Sequence, residues 1–455
     1  RDWSSDVCSS DLAPKQARHD DDTGIVMGTP YGSTFEPVTV GAGSYERKGG
    51  AALRVTADTM VLSGSIEVDG EGGSMYGGGA GGSVWIVTRV LQGASAGSIS
   101  AQGGDASDNI RPGGGGGRVA LYCSTTEHTG SWSGFSGLPT ISVHGGDIHT
   151  STLQTRRGGS GTAYIDCGDA TRTLVLHNEA SGYDPLTTPL VDAVATYAFD
   201  HVRLYNGAGL SFDPASVGLG SMDVTVGAFV GGATETVTLS DGVRMSVPAL
   251  SGVSMSVLAG GELVMPSDLL VDGGTLSVAG TLSSVQNLTV TESGTLTVTG
   301  NLADVRHLRA ARGATVNLQA AGGTGGLVSQ YELSTLVIDG REVTSPYTRN
   351  AQVELEDGVN VTASALTIEA GWLYVNGVTH VNATAFDLSD DGSIIGTSRS
   401  HTNDNEGPDS ARYTYGTGAY INGGCCSTSY YHYYYAAGSH GGSAPKQARH
   451  RSEEH

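Results

Sequence analysis

Two cysteines occupy matching places in a repeated sequence string. Cys123 ends the string RVALYC and Cys167 ends the string TAYIDC, and each string follows a glycine-containing step. Strands that stack on neighbouring turns lie about 4.8 Å apart, a spacing that is compatible with the Cα separation of a disulfide. We therefore predict a disulfide between Cys123 and Cys167, which implies an oxidising compartment. Two buried free thiols are the alternative.

A tyrosine-rich stretch near the C-terminal end is the second place where the residue types suggest chemistry. Eight of the 19 tyrosines lie between positions 413 and 435. Tyrosine combines apolar area with a hydrogen-bonding tip, which suits contact with sugars or proteins. The predicted binding patch consists of Tyr430, Tyr431, Tyr433, Tyr434 and Tyr435. A loosely folded terminal loop is the alternative.

Metal ligation is only weakly indicated. The adjacent Cys425 and Cys426, with His432 and His440 nearby, are poorly spaced for a tetrahedral zinc site. Small groups of carboxylates stand at Asp20–Asp22, at Asp105 with Asp108, and at Asp390 with Asp391. Calcium needs six to eight oxygens from spaced ligands. We therefore predict no cofactor and, at most, weak binding of calcium at the surface.

The usual signatures of catalysis are missing from the sequence. The glycine run PGGGGGR at 112–118 lacks the GK[ST] ending and the following helix of a phosphate-binding loop. The Gly-His-Gly and Arg-x-Lys strings of β-helical pectin hydrolases do not occur, so the Asp-Asp pairs at 20–22 and 390–391 stand without the other parts of that pattern. A net charge of −22, with three lysines, disfavours nucleic acid as a partner. We therefore favour a non-enzymatic protein.

Two families of internal repeats must position these residues. In the first, a Gly-Gly or Ser-Gly step precedes an apolar strand four times. The strands are GGAALRVTA at 49–57, GGSVWIVTR at 81–89, GGRVALYCS at 116–124 and SGTAYIDCG at 160–168. Shorter strands that end in glycine alternate with them. The glycines therefore mark corners where the backbone turns sharply or passes close to a neighbour.

The second family has a period of 20 residues, seen in the strand starts at Thr275, Thr295 and Thr315. Within these strands apolar and hydroxyl residues alternate strictly, as in Leu276 and Val278 against Thr275 and Ser277. A period near 20 with short strands and no helical stretch fits one turn of a β-helix. We predict an all-β protein folded as a right-handed parallel β-helix, or β-solenoid. A β-sandwich array is the alternative.

The ends of the chain differ in character from the rest. Residues 1–12 and the last five, RSEEH, resemble translated sequencing adapter and are set aside. The string APKQARH stands at 13–19 and again at 444–450, which indicates either tandem copies of the unit or artificially joined reads. We expect the chain to be a fragment, with any signal peptide or anchor outside it.

These features divide the sequence into six segments. They are 1–19, adapter and duplicated tag; 20–48, a lead-in loop; 49–199, glycine-rich β-helix repeats; 200–396, a β-helix with turns of about 20 residues; 397–443, a Tyr/Gly-rich loop region; and 444–455, duplicated tag and adapter. No apolar run approaches the roughly 20 residues of a membrane helix. We therefore predict no membrane span in this fragment.

The strings GGSVWI, SISAQGG and GGGGGRVALY, followed by SGTAYID and TLVLHN, resemble glycine-rich parallel β-helix segments of large bacterial and protist surface proteins. The resemblance implies an extracellular or cell-surface, adhesin-like protein whose partners are glycans or surface proteins. We predict a structural or adhesive stalk that presents binding loops. A carbohydrate-active β-helix, either a polysaccharide lyase or a hydrolase, is the first alternative. An ice-binding repeat protein with stacked threonines is the second.

Overall fold

The structure, a computed structural model, describes the chain in ranges separated by gaps. These ranges are 7–8, 26–27, 30–44, 47–73, 77–93, 97–106, 112–127, 141–147, 157–167, 170–179, 186–248, 250, 252–266, 268–311, 313–320, 329–339, 351–356, 358–376 and 379–397. Within them the chain forms 30 strands and one short 3-10 helix, Ala215–Val217. It divides into two compact units, Arg1–Leu288 with Gly294–Val305 (unit 1) and Thr289–Ser293 with Arg306–His455 (unit 2).

Most strands are short and alternate between buried and more exposed residues. In chain order they are β1 (Val7–Cys8), β2 (Val26–Met27), β3 (Ala52–Leu62), β4 (Ser65–Glu67), β5 (Ser83–Gly93), β6 (Ser98–Ser100), β7 (Arg118–Glu127), β8 (Ile141–Ser142), β9 (Thr162–Cys167), β10 (Ala170–His177), β11 (Leu186–Pro189), β12 (Thr196–Tyr205), β13 (Ala208–Phe212), β14 (Met222–Val230), β15 (Thr236–Leu239), β16 (Val243–Ser246), β17 (Ser254–Val257), β18 (Glu262–Val264), β19 (Asp268–Asp272), β20 (Thr275–Val278), β21 (Thr281–Ser283), β22 (Asn287–Thr291), β23 (Thr295–Val298), β24 (Asn301–Leu302), β25 (His307–Ala311), β26 (Thr315–Leu318), β27 (Ser329–Asp339), β28 (Gln352–Leu355), β29 (Val359–Asn376) and β30 (His380–Thr397). The alternation is the one that the aliphatic and hydroxyl residues of the repeats predict.

The first repeat family forms the first β-helix, which comprises β3 to β9. Strands β3, β5, β7 and β9 pair in parallel, and β4, β6 and β8 form a second parallel sheet. Equivalent residues stack in register, so Val84 lies opposite Val119, which lies opposite Ala163. All three are fully buried. The glycine steps therefore begin strands that share one aliphatic core.

A layer of closely packed backbone, the glycine layer, accompanies this aliphatic core. Successive N–H groups donate to carbonyl oxygens of neighbouring segments: Gly104 to Gly79 at 2.8 Å, Gly114 to Gly104 at 2.9 Å and Gly146 to Gly114 at 2.7 Å. A Cβ on Gly114 would lie closer than 3.0 Å to the oxygen of Gly79. Glycine is required here because no side chain fits between the segments.

The second β-helix comprises the strands from β10 to β24 that belong to unit 1; β22 belongs in part to unit 2. One ladder runs through β10, β12, β14, β16, β18, β21 and β24, and another through β11, β13, β15, β17, β20 and β23; all pairs in both are parallel. Thr275 pairs with Thr295 and Leu276 with Leu296, so the 20-residue step is one turn of the helix. This pairing confirms the predicted all-β, parallel β-helical fold.

The first ladder changes in two respects at the junction between β9 and β10. These strands are antiparallel, with Tyr164 opposite Leu174 and Ala163 opposite Val175, although all other pairs from β3 to β24 along this ladder are parallel. The buried side also changes. Before the junction the core lies on the side of Ala163, and after it on the side of Leu174, whose partner Val202 is fully buried.

The first and second β-helices therefore share one continuous sheet and bury opposite sides of it. The order of strands in the sheet advances from β3 to β24 without interruption. The strand direction and the buried side both reverse at the junction. These two reversals cancel, so the two helices wind with the same handedness. The sequence repeats suggest a single stack from 49 to 396, and the junction is the main departure from that expectation.

Unit 2 continues the same pattern of parallel pairing. Strands β25, β27, β29 and β30 pair in that order, and β26 pairs with β28, which pairs with the later part of β29. Leu308, Leu336 and Leu366 form one inward column, and all three are buried. Leu366 pairs with Phe386, which preserves the predicted 20-residue step.

Candidate functional site

Part of the predicted lead-in loop lies against the first β-helix and reaches the start of the second. The ring of Phe35 packs on Tyr164, with centroids 4.8 Å apart, and on Tyr197 at 5.8 Å. It also lies parallel to Phe199, at 6.2 Å. The hydroxyl of Tyr122 donates to the carbonyl oxygen of Phe35 at 3.0 Å. The lead-in segment is thus held against an aromatic cluster at the β9–β10 junction.

A buried polar clamp fixes this segment from both sides. Arg118, 3% exposed, donates from Nη1 to Oγ1 of Thr34 at 2.9 Å and from Nε to the carbonyl oxygen of Tyr31 at 3.1 Å. Asp192, 8% exposed, accepts from the N–H of Thr34 at 3.0 Å and from the hydroxyl of Ser33 at 2.6 Å. A guanidinium and a carboxylate therefore hold the same residue, Thr34, through its side chain and its backbone.

The phenols around this clamp are hydrogen-bond donors rather than bases. The hydroxyl of Tyr197 donates to the carbonyl oxygen of Asp192 at 2.9 Å. Burial raises the pKa of Tyr197 above its usual range, and the negative charge of Asp192 adds to the effect. Burial also raises the pKa of Tyr164 to about 12, with a further contribution from Asp166. These phenols therefore keep their protons at neutral pH and can donate hydrogen bonds.

His177, the last residue of β10, is a buried, neutral histidine whose ring lies against Val143, next to β8 of the first β-helix. The N–H of Val143 donates to its Nε2 at 3.3 Å, and its Nδ1 lies 3.4 Å from the carbonyl oxygen of Asn178. Burial lowers the pKa of His177 to about 4, and the nearby His144, whose ring lies 5.9 Å away, adds to the effect. Since Nε2 accepts a backbone hydrogen bond, this nitrogen is occupied and does not present a lone pair to a metal.

The structure brings the two predicted cysteines together. Cys123 and Cys167 are direct partners in the β7–β9 pair. Their sulfurs are joined in a disulfide, with the Cα atoms 4.4 Å apart. Both residues belong to the aliphatic core of the first β-helix, beside Leu121 and Ile165. The cross-link therefore joins two turns of that helix from inside its core.

The other residues singled out by the sequence have different outcomes. The tyrosine patch Tyr430, Tyr431, Tyr433, Tyr434 and Tyr435 lies outside the described residues, as do Cys425, Cys426, His432, His440, Asp20–Asp22 and Asp108. Nothing is described of the side chains of Asp390 and Asp391. Asp105 accepts a hydrogen bond from the N–H of Asp147 at 2.8 Å. Among the described residues, no group of three or more His, Cys, Asp or Glu could hold a metal ion.

One outward face of the second β-helix carries hydroxyl side chains at its regular positions, apart from Gly209 in β13. This hydroxyl face lies on β13, β15, β17, β20 and β23 and consists of Ser211, Thr236, Thr238, Ser254, Ser256, Thr275, Ser277, Thr295 and Thr297. Outward positions on the other ladder, in contrast, include Asp223, Arg244 and Glu262. The face is longer than the sequence pattern indicates, since it extends back to Ser211.

Comparison with known protein families, curated proteins and solved structures finds no match to this chain. Among the described residues, no helix is long and apolar enough to cross a membrane.

Proposed function

We propose that this chain is part of a non-enzymatic, extracellular or cell-surface stalk that presents binding loops. The observation that carries the proposal is the uninterrupted parallel pairing of β3 to β9 and of β10 to β24 over stacked aliphatic cores. Each turn is fixed to the next by ladder hydrogen bonds and by side-chain stacking, which makes a stiff support. The glycine-rich loops and the tyrosine-rich region are the candidate contacts for glycans or surface proteins.

The buried chemistry of unit 1 supports a structural role. The Cys123–Cys167 disulfide suits an oxidising compartment outside the cytosol. The charged residues Arg118 and Asp192 hold the lead-in segment in place. Their hydrogen-bonding capacity serves the fold, which is typical of a support rather than of a catalytic groove.

Binding to a glycan array, with a parallel assay for polysaccharide cleavage, tests this function. The stalk function predicts binding to a subset of glycans and no shortening of any polymer. Cleavage of any polysaccharide would overturn it in favour of a carbohydrate-active β-helix. A control chain in which residues 107–111 (SDNIR), between the glycines at 103–104 and 113–117, are replaced by serines distinguishes binding by this stretch from binding elsewhere.

A second candidate function, binding to ice, is favoured by the hydroxyl face. Two columns of uncharged hydroxyls, spaced by the strand separation of about 4.8 Å, form a regular array on a chain of net charge −22. Thermal hysteresis and ice recrystallisation measurements test it. Ser277→Lys should abolish activity, because it places a bulky, charged side chain on the face. Thr281→Lys, on the other ladder, should not.

A further inference from the structure

Two aromatic rings stand side by side on the outside of unit 2. Trp372 and Tyr374 lie two residues apart in β29, on the side opposite Leu373, which is buried in the core. Their ring centroids are 6.2 Å apart, with the planes inclined by 69°. Both side chains are half-buried, so part of each meets solvent. Because the rings lie outside the aliphatic core, their apolar area is open to contact with a ligand.

The neighbouring strands add polar groups beside the rings. In β28, Gln352 is the direct partner of Trp372, and Glu354 is the direct partner of Tyr374. Partners on adjacent strands lie about 4.8 Å apart, so a ligand that lies on either ring is within reach of an amide and a carboxylate. We call this set the aromatic face. It consists of Trp372, Tyr374, Gln352 and Glu354, with Thr315 and Asn317 one strand further on.

The carboxylate of Glu354 is oriented by its own chain. The side-chain nitrogen Nδ2 of Asn376, a residue that is 9% exposed, donates to Oε1 of Glu354 at 2.5 Å. Burial raises the pKa of Tyr374, and the charge of Glu354 adds to the effect. The phenol therefore keeps its proton at neutral pH and can donate a hydrogen bond. A face carried by paired strands, with its carboxylate already oriented, loses little conformational entropy on binding.

Charge defines the class of ligand that suits this face. Of its six residues, Glu354 alone is charged at neutral pH. A carboxylate accepts hydrogen bonds from hydroxyl groups and repels sulfates, phosphates and uronates, as does the net charge of −22. A sugar ring offers apolar C–H groups on one side and hydroxyls around its edge, which match the aromatic rings and their polar neighbours. An uncharged glycan therefore complements the face in both charge and hydrogen bonding.

The other tryptophan among the described residues provides a contrast. Trp85 in β5 is also half-buried and outward, next to the fully buried Val84. The guanidinium of Arg54 lies over its ring, 4.0 Å from the centroid. Its direct partner in β7 is Ala120, which offers no polar side chain. One face of this ring is thus occupied by a cation of the same chain, so Trp85 serves as a matched control for Trp372.

We propose that the aromatic face of unit 2 binds an uncharged glycan, with a sugar ring stacked on Trp372 and its hydroxyls bonded to Gln352 and Glu354. The inference rests on the stalk function and deepens it, because it assigns a glycan contact to paired strands in addition to the loops. Strands hold the contacting groups in a more precise geometry than loops do.

Binding of the full chain to short, soluble oligosaccharides tests the proposal. The probes are uncharged oligomers of glucose, mannose and galactose, with oligogalacturonate and chitosan oligomers as anionic and cationic counterparts. We expect at least one uncharged probe to bind more tightly than either charged one. Trp372→Thr should weaken that binding about tenfold or more, because a central aromatic contact carries much of the binding energy. Trp85→Thr removes the same kind of ring from an outward strand position and should leave the affinity unchanged.

A second substitution separates binding from folding. Gln352→Thr leaves both rings in place and replaces a half-buried outward amide by a residue that suits strands. It should weaken binding of the same probe about fivefold, the effect of one neutral hydrogen bond. Urea unfolding of this variant should match that of the unsubstituted chain.

Three results would overturn the proposal. They are equal affinity in the Trp372→Thr and Trp85→Thr chains, no binding to any uncharged probe, and tighter binding of a charged probe. All three leave the stalk function in place, because its glycan or protein contact would then lie elsewhere on the chain. Shortening of a probe, measured separately by chromatography, would overturn the stalk function and the inference that rests on it.

Discussion

Acid should weaken the contact between β10 and the first β-helix through His177, which must remain neutral while the fold is intact. The pKa of this imidazole is about 4 in the folded chain, against 6.5 for an unperturbed histidine. The unfolded chain therefore binds a proton between these two pH values that the folded chain does not. Stability contributed by neutral His177 is present above pH 6.5 and is lost as the pH falls towards 4. At 1.36 kcal/mol per pKa unit, the loss is about 3 kcal/mol.

Urea unfolding at a series of pH values between 7.5 and 4 measures this loss. Carboxylates also titrate in the lower part of this range, so the informative quantity is the difference between the unsubstituted chain and His177→Gln. Glutamine keeps an acceptor for the N–H of Val143 and does not titrate. The variant should start less stable at pH 7.5, since its side chain differs in shape, but it should lose about 3 kcal/mol less on acidification.

The matched control is His144→Gln, which replaces the neighbouring imidazole, that of the half-buried His144. It should retain most of the pH dependence, because burial is the larger cause of the low pKa of His177 and the charge of His144 the smaller. Identical pH profiles for the unsubstituted chain and His177→Gln would refute the reasoning. Such a result would mean that water reaches this imidazole and that it titrates as in the unfolded chain.

Three further substitutions test other parts of unit 1 by urea unfolding. Cys167→Ser should cost about 4 kcal/mol, the chain-entropy value for a closed loop of 44 residues; equal stability under oxidising and reducing conditions would contradict a disulfide. Gly114→Ala should cost more than about 2 kcal/mol, because its Cβ meets backbone, whereas Gly64→Ala, with nothing within 4 Å, should be neutral; equal effects would refute the packing of the glycine layer. Arg118→Met should cost about 3 kcal/mol, because the buried Oγ1 of Thr34 and the carbonyl oxygen of Tyr31 lose the donors that Arg118 supplies. A neutral result would show that the clamp does not hold the lead-in segment.

The periodic part of the fold is readable from the sequence because its physical cause is local. Alternating aliphatic and hydroxyl residues define which side of a strand is buried, and the 20-residue step from Thr275 to Thr295 defines the turn. The cysteine pair follows from the same logic, since Cys123 and Cys167 end equivalent strands. Residues that repeat with the helix are therefore predictable from their spacing alone.

The junction between the two helices escaped prediction although one signal for it exists. Only two residues separate Cys167 in β9 from Ala170 in β10. A connection of that length suits an antiparallel pair, since parallel strands need a much longer crossover. The change of buried side has no such signal, because β9 and β10 are both rich in apolar residues. The direction of a strand is thus encoded in its connection and not in its own pattern.

The polar clamp depends on residues that are far apart in the sequence. Thr34 and Asp192 are separated by 158 residues, and no periodicity relates them. Arg118 does carry a signal, because its partners along the ladder, Ser83 and Thr162, are small and uncharged. A charged residue at a position where the repeat otherwise places small ones indicates a special local partner, but not which partner it is.

Because the two helices share one sheet at the β9–β10 junction, either helix can gain or lose turns during evolution without a change in the length of the other. A duplication or deletion of one whole turn in either helix restores the same stacking on both sides of the change. Neither event alters which side of the sheet is buried at Leu174. Among the described strands of unit 1, the junction is where loss of a single strand would invert inside and outside for the turns that follow. Gene rearrangements should accumulate on either side of it and spare the junction itself.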